Sequence, residues 1–367
     1  MNILHLSAVK AWGGGENHIE NLCRELKIID PEHRNYILCA KDSDFHRKLK
    51  KGNIPFFSAA LLLKFDLRYV FKIIQLSKTH KIDLIHIHDS TALTLAVMAT
   101  KLAELPPFIL SKKTSFPIKD RKRTLYKYNH QNIKRILCVS ETTKKITAEK
   151  IDDTSKLVTI YHGTNFNKST NTAFQIRERF QIPKGKILVG MVANHIRAKN
   201  LESFVELIEE VVHNRGQKHF HFIQIGKFTN RTQKYLEMVK NKSLQDHVEF
   251  LDFLPQASNY IKQFDISILT SQSEGIPQFI YESFYHKVPV VSTNVGGIPE
   301  IIKDGENALL SNSFDVPGLA DKLIALQKDK ELQKKFAELS FRILENGFTT
   351  RIMAEKTLSE YKKVVYG

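Results

Sequence analysis

The chain has 367 residues, of which 42% are hydrophobic and 26% charged, and its formal net charge is +16. This length fits about two domains at roughly 150 residues each. The composition excludes a disordered or collagen-like chain, and the positive charge predicts attraction to polyanions.

The three cysteines, Cys23, Cys39 and Cys138, are scattered and lie in or beside apolar runs. Neither a disulfide framework nor a metal site is indicated, so we expect a reducing compartment. The N-terminus lacks a basic leader, and no run of about 18 apolar residues occurs. We therefore expect a cytoplasmic protein that is soluble or peripherally bound to the inner face of the cytoplasmic membrane.

The first predicted elements are a strand at residues 2–7, a glycine turn and a helix with apolar residues at helical spacing. Gly13, Gly14 and Gly15 would let the backbone approach a ligand closely. Gly14 and Gly15 are therefore candidate ligand contacts, although a tight strand–helix turn alone can require glycine.

A second strand, NYILCA, is followed by Asp42 and Asp44, whose spacing resembles a divalent-metal motif. We interpret this segment as a solvated loop rather than a metal site. An amphipathic helix that packs against the sheet is predicted next. Its apolar positions are Leu67, Val70, Phe71 and Ile74.

The strand DLIHIH places His86 and His88 on one face, because side chains alternate along a strand. At the carboxyl end of a parallel strand, this face would meet a ligand. A structural hydrogen-bonding role and a ligand contact are equally open for these histidines.

Two further parallel strands, in FILSKKTSFP and RILCVSETTKKI, flank the most basic segment of the chain. Its basic residues are Lys112, Lys113, Lys119, Arg121, Lys122, Arg123, Lys127, Lys134 and Arg135. Anionic lipid, a phosphorylated acceptor and a plain solvated surface all fit this segment. Nucleic acid is not expected, since helix-turn-helix, RNP-like and zinc-finger patterns are absent from the sequence.

A polar stretch with Pro and Gly places a domain boundary near residues 163–185, after which strands and helices resume. The strand ILVGMVA ends in a loop that carries Asn194, Arg197 and Lys199. A guanidinium and an ammonium group at a strand end suit a diphosphate, although a solvated basic loop would look the same.

Residues 265–302 contain a strand, a turn with Glu274 and Gly275, and a helix that opens at Pro277 and carries Glu282. A second strand then breaks at Gly296 and Gly297 before another helix. Helix N-termini after parallel strands favour an anionic ligand. Residues 319–348 and 351–366 are predicted to be helical.

Taken together, these residues resemble the retaining, GT-B-fold glycosyltransferases of family 4, of the bacterial cell-envelope type. The segments WGGGE, HIHD, CVSE, KKTSFP and ANHIRAK extend the resemblance over almost the whole chain. The frame that carries it comprises Ser271, Glu274, Gly275, Glu282, residues 289–291, Gly296, Gly297, Pro299 and Glu300.

The resemblance implies an α/β protein with two Rossmann-like parallel-sheet domains that face each other across a cleft. Residues 1–163 would form the acceptor-side domain, joined by the C-terminal helix 350–367. Residues 164–349 would form the domain that binds the nucleotide sugar.

The same resemblance implies roles for individual residues. Glu282 would bind the ribose hydroxyls, Glu274 the donor sugar, and Lys199 the diphosphate. Asn194 stands where the family has an arginine, which Arg197 would have to replace, and His162 stands where the family has an asparagine. The N–H groups that would help hold the diphosphate are those around Gly275, Ile276, Pro277 and Gln278. The catalytic set would be His88, Glu274 and Lys199, with His86 as a supporting candidate, and neither a metal nor another cofactor is expected.

The implied reaction transfers a hexosyl or acetylhexosaminyl group, with retention, from a nucleoside diphosphate sugar to a hydroxyl of a cell-envelope glycan or glycolipid acceptor. Such acceptors include lipopolysaccharide, O-antigen and capsule. Uridine is the expected base and guanosine the second choice. The alternatives are a sugar-nucleotide epimerase of the same fold and a noncatalytic polyanion-binding protein. Peripheral contact of residues 112–135 with an anionic membrane is also expected.

Overall fold

A computed structural model describes residues 1–10, 13–63, 65–166 and 171–367. Ala11 and Trp12 of the glycine-rich opening, and residues 167–170 of the polar stretch near the domain boundary, lie outside the described residues. The chain forms two compact units. Unit 1 comprises Met1–Asn165 and Thr349–Gly367, and unit 2 comprises Phe166–Phe348.

Strands and helices alternate along both units. The strands are β1 (Asn2–Ser7), β2 (Arg34–Ala40), β3 (Phe56–Ala59), β4 (Leu84–Ile87), β5 (Phe108–Lys112), β6 (Ile133–Cys138), β7 (Leu157–Thr159), β8 (Ile187–Val192), β9 (Phe220–Ile225), β10 (Val248–Leu251), β11 (Ile266–Leu269), β12 (Val290–Thr293) and β13 (Leu309–Ser311). The α-helices are α1 (Gly14–Ile29), α2 (Asp44–Leu49), α3 (Leu67–Thr79), α4 (Ser90–Ala99), α5 (Lys122–Tyr128), α6 (Glu141–Ala148), α7 (Ile176–Arg179), α8 (Leu201–Glu209), α9 (Thr232–Asn241), α10 (Gln278–Tyr285), α11 (Ile298–Ile301), α12 (Val316–Lys328), α13 (Lys330–Gly347) and α14 (Thr350–Tyr366).

The sheet of unit 1 is parallel, with the strand order β3-β2-β1-β4-β5-β6-β7. Its central strands β1, β4 and β5 are buried over nearly all of their length, as expected for a parallel sheet that is covered on both faces. Helix α14 packs on one face, where Met353, Leu358 and Tyr361 join Ile3 and Leu22 in a core cluster. The chain order reverses between β1 and β4, and this point of an open parallel sheet is where ligands bind.

The sheet of unit 2 is also parallel, with the order β10-β9-β8-β11-β12-β13. Its chain order reverses between β8 and β11. The loops that leave these two strands carry Asn194, Arg197 and Lys199 on one side and Glu274 on the other. The topology thus brings together two segments that the sequence separates by about 75 residues, and Lys199 and Glu274 are in contact.

The predicted apolar face of α3 is wrong in part. Leu67 and Phe71 are 52% and 58% exposed, whereas Tyr69, Val70 and Ile73 are buried. The hydroxyl of Tyr69 donates to the backbone carbonyls of Ser7 and Leu38, which turns this side of the helix toward the sheet.

Two other segments differ in detail from the prediction. The long helical stretch before residue 348 is two helices, because Asp329 accepts a hydrogen bond from the N–H of Leu332 and caps α13. The residues after β2 also have local structural roles. Ser43 caps α2, and Asp44 is paired with Arg47.

None of the helices in the described part of the chain combines the length and apolar character that crossing a bilayer requires.

Candidate functional site

Gly14 and Gly15, predicted as a loop, lie in the first turn of α1. Gly13 precedes the helix with an extended backbone that any residue can adopt. The ammonium of Lys113 donates to the carbonyl of Gly15 at 3.1 Å, and a Cβ on Gly15 would lie 3.7 Å from that nitrogen. Backbone strain therefore does not explain this pair of glycines, and Gly14 remains exposed.

His86, in β4, is completely buried. Its Nδ1 lies 2.5 Å from the hydroxyl of Tyr361, and its Nε2 lies 2.8 Å from Oγ of Ser111. Both ring nitrogens are thus used within the core of unit 1. The structure favours the structural role for His86 over a substrate contact.

His88 follows β4 at the carboxyl edge of the same sheet and is 5% exposed. Its Nε2 lies 3.0 Å from Nδ1 of His5, while its own Nδ1 has no hydrogen-bond partner within the described part of the chain. The ring of His18 meets that of His88 edge-on at 6.1 Å and stacks on His162 at 4.3 Å. The ring of His86 also lies 3.9 Å from that of His88, so five histidines form one group of neighbouring rings in unit 1.

These histidines are neutral at pH 7. Burial lowers the pKa of His5 to about 4 and that of His162 to about 3. Burial also holds the pKa values of His18 and His88 well below 6.5. Lys113 is the nearby cation, and burial lowers its pKa to about 8.

His5, His86 and His88 are the group in the described residues whose ligand atoms lie close enough to hold a metal ion, within 4.8 Å of one another. A metal would have to displace the hydrogen bonds that His5 and His86 already make at both ring nitrogens. The arrangement is that of a hydrogen-bond network.

In unit 2, Lys199 and Glu274 form an ion pair. The ammonium of Lys199 donates to Oε1 of Glu274 at 2.5 Å, and the hydroxyl of Ser271 donates to the same oxygen at 2.6 Å. The two charged side chains are 17% and 11% exposed. Glu274 is therefore held in one orientation next to a cation, which sequence alone did not show.

The loop after β8 also contains Asn194, which stands where the family has an arginine, and Arg197, which would have to replace that arginine. Oδ1 of Asn194 accepts from the backbone N–H of Lys227 at 3.0 Å, so Asn194 connects the loops that follow β8 and β9. Arg197 is exposed and lines a cavity of about 500 Å³ together with Arg231. Arg231 was missed by sequence reasoning, because its proximity to Arg197 depends on the pairing of β8 with β9.

Helix α10 begins after Pro277, which provides no side-chain cap. The backbone N–H groups of a helix's first turn have no partner inside the helix, and they attract anions. Gly275, Ile276 and Pro277 are buried beneath this helix end, and Gln278 is half-buried. Glu282, four residues after Gln278, is also half-buried, about one turn along the helix.

The turn at Gly296 packs against the turn at Glu274. Gly296 has φ of +57°, and a Cβ there would lie 1.8 Å from the carbonyl oxygen of Glu274. The N–H of Gly297 donates to the carbonyl of Gly275 at 2.7 Å. The two turns that the sequence predicted to form an anion site therefore support each other through their backbones.

We expect Gly296→Ala to lower the melting temperature and to weaken any ligand held at the Glu274 turn. A left-handed conformation in a non-glycine residue costs about 1–3 kcal/mol, and here a backbone clash adds to it. Thermal unfolding and ligand titration measure the two effects.

Two alanine variants in unit 2 serve as controls. Gly305 has φ of +76° but open space around a Cβ, and Gly185 has open space without a positive φ. Gly305→Ala should lower the melting temperature through backbone strain alone. Gly185→Ala should change neither the melting temperature nor ligand binding. Equal behaviour of Gly296→Ala and Gly305→Ala would contradict the role of the close contact.

Comparisons with known proteins address the fold and the family. Residues 12–168 match the family model described as Glycosyltransferase Family 4, and residues 173–341 match the model described as Glycosyl transferases group 1. The chain is 22% identical over 311 residues to N-acetyl-alpha-D-glucosaminyl L-malate synthase of Bacillus anthracis, covering 82% of this chain and 79% of that protein. It is 25% identical over 366 residues to an uncharacterized glycosyltransferase of Methanocaldococcus jannaschii, covering 96% and 94%.

Solved structures show the same architecture. HepE of Anabaena, crystallised with UDP and glucose, has a TM-score of 0.85 and 18% identity and covers 99% of this chain and 100% of its own. A glycosyltransferase from Rickettsia africae has a TM-score of 0.86 and 22% identity, with coverage of 100% and 99%. These likenesses, together with the two sheets, confirm the predicted α/β fold of two Rossmann-like parallel-sheet domains of the GT-B class.

Proposed function

The chain belongs to the glycosyltransferases that join a family 4 domain to a group 1 domain, and from this premise we propose that it is a retaining enzyme of the cell envelope. It would move a hexosyl or acetylhexosaminyl group from a nucleoside diphosphate sugar to a hydroxyl of a glycan or glycolipid. The observation that carries the proposal is the Lys199–Glu274 pair. Glu274 lies three residues before Pro277, after which α10 begins without a side-chain cap.

In this proposal, different residues of unit 2 bind different parts of the nucleotide sugar. The ammonium of Lys199 and the N–H groups at the start of α10 hold the diphosphate, where negative charge grows as the sugar leaves. Glu282 accepts hydrogen bonds from two ribose hydroxyls, as a carboxylate can. Glu274, held by Ser271 and Lys199, contacts the donor sugar.

The nucleotide base and the acceptor are proposed from similar proteins rather than from residues of this chain. HepE was crystallised with UDP and with UDP-glucose, which supports uridine as the base, with guanosine second. Similar proteins include an O-antigen biosynthesis glycosyltransferase and a galactosyltransferase acting on a diphosphoundecaprenol-linked sugar, both of Escherichia coli. These relatives support an envelope glycan or glycolipid as the acceptor.

Retention is proposed to occur by reaction on one face of the sugar. A double displacement needs a carboxylate nucleophile, whereas Oε1 of Glu274 is already engaged by an ammonium and a hydroxyl. In the one-face reaction, the acceptor oxygen bonds to the anomeric carbon as the bond to the diphosphate breaks. The acceptor proton passes to the departing phosphate oxygen. Lys199 and the N–H groups at the start of α10 supply the positive charge that the diphosphate needs as it leaves, so the proposal includes no metal.

The proposed reaction is tested by incubating the protein with UDP-glucose, UDP-galactose or UDP-N-acetylglucosamine and a panel of lipid-linked and free glycan acceptors. We expect release of UDP in equal amounts with a new glycoside, and an unchanged anomeric configuration by NMR. A new sugar nucleotide without UDP release would indicate the epimerase instead. UDP release without a glycoside would indicate hydrolysis.

An exposed apolar segment in unit 1 supports membrane contact. Leu62, Leu63 and Phe65 are 74%, 73% and 62% exposed, and the exposed Leu67 and Phe71 of α3 extend the same segment. Scattered single apolar residues on a surface are ordinary, but a contiguous group marks an interaction site. We call Leu62, Leu63, Phe65, Leu67 and Phe71 the apolar segment.

Exposed basic residues lie in a segment that follows the same edge of the sheet as the apolar segment. The apolar segment follows β3, and the exposed Lys119, Arg121, Lys122 and Arg123 follow β5, both at carboxyl strand ends. Four strand spacings of about 4.8 Å separate β3 from β5, or roughly 19 Å. Apolar and basic groups together suit an anionic lipid surface, where a lipid-linked acceptor would lie.

Not every residue of the predicted basic segment is available to lipid. Lys112 is 8% exposed, and its ammonium donates to the carbonyl of Phe116 at 2.9 Å. Arg135 is paired with Glu360 at 3.1 Å. The proposed membrane contact therefore uses residues 119–123 and the apolar segment.

We expect the protein to float with phosphatidylglycerol-containing vesicles at low salt and to be partly released at high salt, because the electrostatic part is screened. The double variant Leu62→Ser/Leu63→Ser should lower the bound fraction at least tenfold, since burial of each leucine contributes about 1.5–3 kcal/mol. Leu102→Ser, which alters an exposed leucine outside the segment, is the matched control. Absence of wild-type flotation at low salt would contradict the proposed contact.

A further inference from the structure

Three polar side chains on adjacent strands of unit 1 form a hydrogen-bonded chain that ends at His88. Asn35 lies on β2, His5 on the neighbouring β1, and His88 just after β4, which pairs with β1 on its other side. Oδ1 of Asn35 lies 3.0 Å from Nε2 of His5, and Nδ1 of His5 lies 3.0 Å from Nε2 of His88. All three residues are less than 9% exposed.

The positions of the protons in this series of hydrogen bonds follow from Asn35, which lies at one end of it. Both imidazoles are neutral, because burial lowers their pKa values, and a neutral imidazole has one N–H and one bare nitrogen. The carbonyl oxygen of Asn35 can only accept, so Nε2 of His5 carries the proton and Nδ1 of His5 is bare. Nε2 of His88 must then donate, which leaves Nδ1 of His88 bare.

We propose that Asn35 and His5 are positioning residues that hold His88 in the Nε2–H tautomer, so that its Nδ1 is presented as a hydrogen-bond acceptor to a substrate hydroxyl. The relation to sugar transfer rests on the proposed function, whereas the tautomer itself does not. Neither Asn35 nor His5 touches the substrate in this proposal.

The geometry around Nδ1 supports a ligand there. This atom is buried and has no partner among the described residues, and an unpaired buried acceptor is unfavourable until a donor reaches it. His18 lies edge-on to the ring, and the first turn of α1 with its exposed Gly14 follows β1 at the same edge of the sheet.

The tautomer also decides which chemical class fits. A bare nitrogen accepts from a sugar hydroxyl, but it cannot donate to a phosphate or carboxylate oxygen. The opposite tautomer would present an N–H and would favour an anion. Because Asn35 on β2 and His5 on β1 fix the tautomer, this position selects a group that donates a hydrogen bond, such as a sugar hydroxyl, over an anion.

Nitrogen-15 NMR of histidine-labelled protein without substrate tests the tautomer directly. We expect Nδ1 of His88 at the shift of a bare imine-type nitrogen and Nε2 at the shift of an N–H nitrogen, with the same pattern for His5. His88→Gln, which removes one set of signals, provides the assignment. An N–H at Nδ1 of His88 in the wild type would overturn the proposal.

Variants test whether the chain of hydrogen bonds sets the tautomer. His5→Leu and Asn35→Leu should replace the single His88 tautomer by a mixture, whereas His5→Asn keeps an acceptor near the position of Nδ1 and should restore it. Tyr361→Phe removes a hydrogen bond to His86 in the same buried core and should leave the His88 signals at their wild-type shifts. An unchanged His88 spectrum in both leucine variants would overturn the positioning role, and if one fails to fold, the other decides.

Kinetics connect the tautomer with transfer. We expect His5→Leu to lower kcat/KM about tenfold, as loss of one well-placed hydrogen bond does, and His5→Asn to recover most of it. A changed tautomer with wild-type kcat/KM would overturn the substrate contact. If no sugar nucleotide supports transfer by the wild type, the proposed function fails, while the spectra still decide the tautomer.

Discussion

Replacing Lys199 by methionine is expected to reduce kcat/KM for sugar transfer by about a hundredfold to a thousandfold. A preorganised cation beside a leaving diphosphate stabilises charge that develops in the transition state, and loss of one such donor has effects of this size. Lys199 is 17% exposed and already oriented by Glu274, so it does not have to be ordered during the reaction. Steady-state kinetics with a saturating acceptor measure the loss, which should appear in kcat and, because Lys199 also holds the bound diphosphate in this proposal, in KM.

The variant must be separated from simple loss of an ion pair. Without Lys199, Glu274 keeps the hydrogen bond from Ser271 but loses its cation, so the melting temperature should fall as well. Lys242 and Glu209 form a pair of the same 2.5 Å length elsewhere in unit 2. Lys242→Met should leave kcat/KM within twofold of wild type. Equal losses in both variants would contradict a role of Lys199 in transfer.

Replacing Glu282 by alanine is expected to weaken binding of the nucleotide sugar about a hundredfold. A hydrogen bond to a charged group contributes about 1.5–3 kcal/mol, and the proposed carboxylate makes two of them to the ribose. Because the ribose does not change during the reaction, the loss should raise KM far more than it lowers kcat. Kinetics and direct titration with UDP measure the two parameters.

Two further variants sharpen this second result. Glu282→Gln keeps one carbonyl acceptor and should give an intermediate loss. Glu338→Gln alters an exposed carboxylate that pairs with Lys287 on the outside of unit 2, and it should leave KM at the wild-type value. A wild-type KM for Glu282→Ala would remove Glu282 from the nucleotide site.

The sequence predicts the fold well where apolar runs and turns are unambiguous. The strand β8, within ILVGMVA, is buried almost throughout its length in a parallel sheet, so its sequence is continuously apolar and easy to recognise. The sequence predicts the orientation and the ends of a helix less well where a single contact determines them. The direction of α3 depends on the two backbone carbonyls that Tyr69 reaches, and the break at Asp329 lies in a run of charged residues that helices tolerate.

The residues of the candidate site were likewise predicted from the sequence only in part. The frame around Glu274 and Gly296 is continuous in sequence, so the residues could be found, and their backbone contacts explain why glycine stands at position 296. The partners of His88 lie on β1 and β2, more than 50 residues away in the chain. Only the strand order brings them together, which is why sequence reasoning selected His86 as the supporting histidine and missed His5 and Asn35.

The central claim is that unit 2 binds a nucleoside diphosphate sugar through Lys199, the start of α10 and Glu282. Calorimetric titration of the full chain with UDP, GDP, ADP and their sugars tests it without knowledge of the acceptor. We predict that one nucleotide series, most simply the uridine series, binds at a single site, and that Lys199→Met and Glu282→Ala both weaken this binding. A folded wild-type protein that binds none of these nucleotides, or variants that bind them as tightly as the wild type, would contradict the claim.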